Sequence, residues 1–121
     1  LLPNSGLILS DLAKVELAQP NPNLNLAIQH LEKSTLLDNS NNFAWRLLAT
    51  AYGKIGNNGL SSLALAEEAI LENDDEMALS QVEQATKTLK NGTPAWQRAQ
   101  DIKARALEIK RQKSEKESSL P

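Results

Sequence analysis

Apolar residues recur along this chain at intervals of three and four, and polar clusters interrupt the recurrence at five places. That spacing gathers them on one face of successive helices. The stretch 6–19 carries Leu9, Leu12, Ala13, Leu17 and Ala18. It stops at Pro20-Asn-Pro22-Asn, because a proline disfavours helical backbone in the residue before it. Residues 23–37 place Leu24, Ala27, Ile28, Leu31 and Thr35 on an inner face. Asp38-Asn-Ser-Asn-Asn42 supplies an N-cap for a third helix, 42–56, on which Trp45, Leu48, Ala49 and Tyr52 share one face. Gly56 follows the last apolar turn, where a left-handed C-cap residue is expected. After the Gly56-Asn-Asn-Gly59 turn, residues 60–73 turn Leu63, Ala66, Ala69 and Ile70 inward. Asn73-Asp-Asp75 caps a fifth helix running to Lys90, striped by Ala78, Val82, Ala85 and Leu89. Thr93 and Pro94 open the sixth as N-cap and first helical residue, and Trp96, Ala99, Ile102, Ala106 and Ile109 form its stripe. Residues 1–5 read as a lead-in. No apolar partner follows Ile109, so the charged end is read as a fraying helix and a disordered tail, 113–121, behind a single helical domain, 1–112.

The Trp45-x2-Leu48-Ala49-x2-Tyr52 spacing resembles the signature that opens a tetratricopeptide (TPR) helix pair, with Ala49 where Gly is more usual. A longer period lies beneath it. Ala27 and Ala78, Ala44 and Ala95, and Trp45 and Trp96 are each 51 residues apart, which is three helices rather than two. Ser61 stands where a next regular repeat would carry a small Ala. The expected fold is therefore all-α, a TPR-like right-handed solenoid of about six antiparallel helices, built as a three-helix unit used twice. Trp45 and Trp96 are expected in equivalent pockets between helices.

Composition narrows the function classes. The 121 residues suffice for one continuous core. Phe43, Trp45, Tyr52 and Trp96 are the only aromatics, too few to build a cofactor pocket, and the net charge of −2 gives no general attraction to nucleic acid. No apolar run approaches the roughly 18 residues of a membrane span, so a soluble chain is expected. The absence of cysteine excludes disulfides and thiolate metal sites. With neither an initiator Met nor a signal peptide at its start, the chain is read as a fragment of a longer protein.

Catalytic chemistry needs positioned acids, bases, nucleophiles or metals, and the sequence offers few. The single histidine, His30, is read as a solvent-facing or half-buried helix residue. A general base would need a partner to orient its ring, and none is evident nearby in sequence. Gly56-Asn-Asn-Gly59 lacks the Lys and the preceding strand of a phosphate loop. Glu67, Glu68, Glu72, Asp74, Asp75 and Glu76 cluster without any Lys or Arg between Lys54 and Lys87. They read as a solvated face plus an N-cap, with a docking patch for a basic partner as the alternative. Neither a catalytic residue nor a cofactor or metal is expected in this chain, and no nucleic acid.

Three runs are more specific: Phe43 to Gly56, Leu63 to Glu68, and Gly92-Thr-Pro-Ala-Trp-Gln-Arg-Ala-Gln-Asp-Ile102. Together they resemble the C-terminal TPR region of bacterial periplasmic zinc metalloproteases, in which an H-E-x-x-H domain precedes TPR-like helices and which act in outer-membrane protein quality control. The catalytic motif has no counterpart here. The resemblance implies a periplasmic, non-catalytic module that binds substrate, an outer-membrane assembly factor or the adjoining protease domain, with zinc only in the full-length protein. The alternative is a free-standing TPR adaptor. On the Trp45 helix, Phe43, Arg46, Thr50 and Lys54 turn away from the packing face; the matching positions are Gln97, Asp101 and Arg105 on the sixth helix and Ser10 and Lys14 on the first. These resemble the groove of peptide-binding TPRs, where basic and amide groups grip an extended chain or its terminal carboxylate, and an acidic or unfolded peptide, or the protease domain, is the expected client. Thr50 departs from that groove, standing where an Asn would hold the peptide backbone. A second reading makes Arg46 and Lys54 solubilising charges only.

Overall fold

The computed structural model describes residues 4–120, and within them the chain forms six helices and no strand: α1 (Gly6–Leu17), α2 (Leu24–Leu37), α3 (Asn42–Lys54), α4 (Asn58–Leu71), α5 (Asp75–Thr86) and α6 (Pro94–Ser118). The lead-in expected at 1–5 lies in part outside the described residues, as does position 121. Each helix opens on a side-chain cap. Ser5, Asn23, Asn41, Asn57, Asp74 and Thr93 accept hydrogen bonds from backbone N–H groups in the first turn that follows them. Such a cap contributes about 0.5–2 kcal/mol.

Two helix ends use a left-handed residue. Gly56 has φ +82°, with its N–H donating to the Gly53 carbonyl and that of Asn57 to Tyr52. Asn73, at φ 57°, does the same after α4, with its own N–H on Ile70 and that of Asp74 on Ala69. Both close orphan carbonyls in the Schellman manner, and glycine and asparagine are the residues that tolerate that backbone.

Two apolar clusters form the core. Ala13, Ile28, Leu31, Leu48, Ala49, Ala51, Tyr52 and Ala64 make the first, with half-buried Trp45 at its margin. Ala66, Ala69, Ala78, Val82, Ala99, Ile102 and Ala106 make the second, with Leu63, Ile70, Leu79 and Leu89 at its margin. They meet within α4, which contributes Ala64 to one and Ala66 and Ala69 to the other. Consecutive helices pack against each other, and α1 also touches α3 as α4 touches α6. Among the described residues no contact joins α2 to α4 or α3 to α5. The result is two three-helix groups, and two gaps where next-but-one helices stand apart.

Several expectations change. On α1, Leu12 is 37% exposed and Ala18 lies past the helix, so the inward stripe is Leu9, Ser10 and Ala13, with Leu17 half-buried. Trp96 is half-buried at the start of α6, and the margin of the second cluster is aliphatic, so the two tryptophans do not occupy equivalent pockets. Helix α6 runs to Ser118, through the stretch from 113 read as a tail. The Lys113 ammonium, 2.7 Å from Asp75 Oδ1 and 2.8 Å from the Asn73 carbonyl, ties that extension to the α4–α5 turn. The acidic span is not a plain solvated face either, because Glu68 and Asp75 are buried and Glu67 is paired.

Candidate functional site

In the gap between α3 and α5, one face of α4 forms a floor. Leu65, Glu68, Ala69 and Glu72 repeat there at intervals of three and four, flanked by Arg46 on α3 and by Asp74, Met77 and Gln81 at the start of α5. The groove holds about 220 Å³. That is below the roughly 300–1,000 Å³ of small-molecule sites and suits one or two side chains of a larger partner.

Arg46 is the groove's positive charge, and it is already engaged. Its Nε donates to Glu68 Oε1 and Oε2 at 3.1 and 2.9 Å, and Nη2 donates to Oε1 at 2.7 Å. Glu68 lies at 8% exposure, whereas the Arg46 side chain is 61% exposed. The hydrogen bonds to Glu68 raise the Arg46 pKa above the usual guanidinium value, and the charges of Glu68 and Glu72 add to them. Bidentate, charge-assisted pairing of this kind fixes orientation as well as adding energy. The sequence signal for it is weak, since the partners are 22 residues apart on different helices.

The other expected site residues separate into two groups. Lys14 lies 5.5 Å from the centroid of the Phe43 ring, a cation–π contact that joins α1 to α3 beside the groove. Thr50 donates its hydroxyl to the Arg46 carbonyl at 3.1 Å, so this group is engaged within its own helix. Lys54 is exposed at the end of α3. Ser10, expected to face the partner, is instead fully buried: its hydroxyl donates to the Leu7 carbonyl and accepts from Asn41. Gln97, Asp101 and Arg105 are exposed on α6, which does not contact α3 among the described residues. Gln97 Nε2 donates to Asp101 Oδ1 at 3.3 Å. The structure therefore gathers Lys14, Phe43 and Arg46 on one surface and leaves the α6 residues on another. Glu68, Met77 and Gln81 join the first group without having been expected there.

A second cleft, of about 330 Å³, opens between α2 and the α4–α6 pair. Thr35, Leu36, Asn39, Trp45, Ile70 and Leu71 line it, and the ion pair of Arg98 with Glu67 crosses one side at 2.7 Å. Trp45 is thus core on one face and cleft wall on the other, and its indole N–H donates to the Asn39 carbonyl at 2.9 Å.

His30 is buried at 5% exposure, more than the solvent-facing or half-buried position expected, and has a partner: its Nδ1 lies 2.7 Å from Glu16 Oε1. The contact spans 14 residues and couples α1 to α2. A carboxylate that orients a histidine is one part of a general-base arrangement, but neither cleft described above is lined by this ring. Among the described residues no three His, Asp or Glu groups stand together as metal ligands, and no helix is long and apolar enough to cross a membrane. Comparison with protein-family models, with curated proteins and with solved structures yields no match to this chain.

Proposed function

We propose that this chain is a non-catalytic protein-interaction module, a TPR-like solenoid whose α1–α3–α5 side receives a segment of another protein. The observation that carries the reading is the groove over α4. A helical domain that leaves half-buried Leu65 and exposed Met77 beside ordered charges has a surface shaped for side chains. The side-by-side contact of α1 with α3, and of α4 with α6, supports the repeat interpretation. The resemblance in the Phe43 to Gly56 and Gly92 to Ile102 runs adds the further proposal that the module serves a periplasmic zinc metalloprotease, with a free-standing adaptor as the alternative.

The test is titration of isotope-labelled chain with peptides from an unfolded outer-membrane protein, read by backbone amide shifts. Perturbations centred on α3, the groove face of α4 and the start of α5 are expected. Shifts centred on Trp45, Leu36 and Leu71 would move the site to the other cleft, and no shift with any peptide would remove the binding reading. Coding sequence for an upstream H-E-x-x-H domain separates the protease module from the adaptor.

A further inference from the structure

We propose that the occupant of the groove over α4 is a basic extended segment, with a Lys or Arg reaching Glu72 and Asp74 and an apolar side chain between them against Leu65, Ala69 and Met77. This rests on the reading of the chain as a binding module and reverses the charge of the client that the sequence suggests. From sequence, Arg46 and Lys54 face outward and invite an acidic peptide. In the fold, Arg46 commits Nε and one Nη2 hydrogen to Glu68; its remaining N–H groups are free, but its charge is balanced by that carboxylate and no longer gives the groove a net attraction for acids. One guanidinium then faces three carboxylates, Glu68, Glu72 and Asp74.

The neighbouring elements do not restore the balance. No Lys or Arg occurs between Lys54 and Lys87, so α4 and α5 contain no cation of their own. Lys14 sits over Phe43, and Lys113 is engaged with Asp75 and the Asn73 carbonyl. Asp74 holds one oxygen on the Met77 N–H as the cap of α5, and Glu68 is balanced by Arg46. An incoming ammonium would still meet net negative charge beside an apolar wall, which strengthens attraction and speeds encounter. Glu68 contributes differently: its pairing fixes Arg46 along the groove edge, so the guanidinium's aliphatic stem becomes part of the wall. Met77, 48% exposed and unbranched, can reshape around different apolar side chains. The chemistry selects for charge and tolerates variation in the apolar residue.

The experiment uses three peptides of equal length that alternate Leu with Lys, Ser or Glu, titrated into the whole labelled chain at low and at raised salt. The Lys peptide is expected to bind best, with shifts on groove residues and an affinity that falls as salt rises. Glu72→Gln with Asp74→Asn should weaken it about three- to tenfold. The Asp74→Asn change keeps a competent N-cap for α5. Arg46→Gln, which removes the cation and releases Glu68, should tighten the Lys peptide. Should that variant lose its helical signal, Glu72→Lys takes its place and should abolish binding; unchanged affinity there overturns the proposal. Preference for the Glu peptide, lost on Arg46→Gln, would overturn the charge assignment while leaving the module reading intact. Equal binding of the Ser peptide would do the same. Failure of all three peptides to bind would remove both.

Discussion

Tyr52 joins the core to the surface. Its ring is 7% exposed within the first apolar cluster, and its hydroxyl donates to Glu32 Oε2 at 2.7 Å across α2 and α3. Burial first, then the hydrogen bond to Glu32 and the charge of that carboxylate, push the phenol above its ordinary pKa. A folded value raised above the unfolded value of about 10 means that the stabilisation is complete below that pH and is lost as pH climbs past it. Tyr52→Phe keeps the ring and deletes the hydroxyl. It should cost about 1 kcal/mol at neutral pH, because Glu32 can still turn to water. It should also flatten the alkaline limb of the stability curve, so wild type and variant converge above about pH 10. Denaturant melts across that range check both halves. The aromatic position is legible in the helical spacing. The Glu32 contact is not, because it joins residues 20 apart in different helices.

Between elements, close approach depends on small residues. A Cβ on Gly6 would meet the Ser34 carbonyl oxygen at 3.0 Å and the Asp38 Cβ at 3.2 Å. That oxygen is held by the Asp38 N–H at 2.9 Å, and the Ser34 hydroxyl reaches back to the Gly6 carbonyl at 2.6 Å, so neither side yields cheaply. Alanine would gain up to about 1 kcal/mol through the unfolded state, but overpacking of about 1–3 kcal/mol exceeds it. Gly6→Ala should therefore destabilise, read as a lower melting temperature and faster amide exchange in α1. At the other end, truncation after Gln112 tests whether the last turns of α6 belong to the fold. The Lys113 hydrogen bond holds the Asp75 carboxyl below its usual range, a stabilisation present above about pH 4 and lost as pH falls further. Removing Lys113 should lower the melting temperature at neutral pH and speed exchange at 73–76, with the loss shrinking in acid. A tail without structural role would leave all of these unchanged. What sequence shows about the elements follows the same division. Caps, the Gly56 terminator and the Thr93-Pro94 start are local patterns and can be read directly. The length of α6 depends on a lysine meeting an acid 38 residues earlier, and no local pattern reports that. The candidate site divides likewise: the outward residues of α3 are visible from periodicity, but whether Arg46 is free or paired is decided by where α4 packs.

For the whole molecule, the arrangement of contacts makes a claim about cooperativity. A solenoid is held by nearest-neighbour interfaces, so damage in one part should leave distant parts less affected than in a domain with one central core. Here the two apolar clusters share α4, and no contact bridges α1, α2 or α3 to α5 or α6 among the described residues. Leu31 is fully buried in the first cluster and Ile102 is 1% exposed in the second. Truncating either to Ala should cost about 2–5 kcal/mol. Under native conditions, Leu31→Ala should accelerate amide exchange in α1, α2 and α3 well beyond its effect in α5 and α6, and Ile102→Ala should do the reverse. The N-terminal half of α4, which packs on α3, should follow the first variant, and its C-terminal half the second. Uniform acceleration across all six helices in both variants would mean that α4 transmits the loss completely, which would count against the repeat interpretation. The split pattern would also bear on binding, because the groove lies over the helix where the two halves meet. A partner seated on Leu65, Glu68 and Ala69 while touching α3 and α5 would couple them, narrowing the difference between the two variants when a ligand is present.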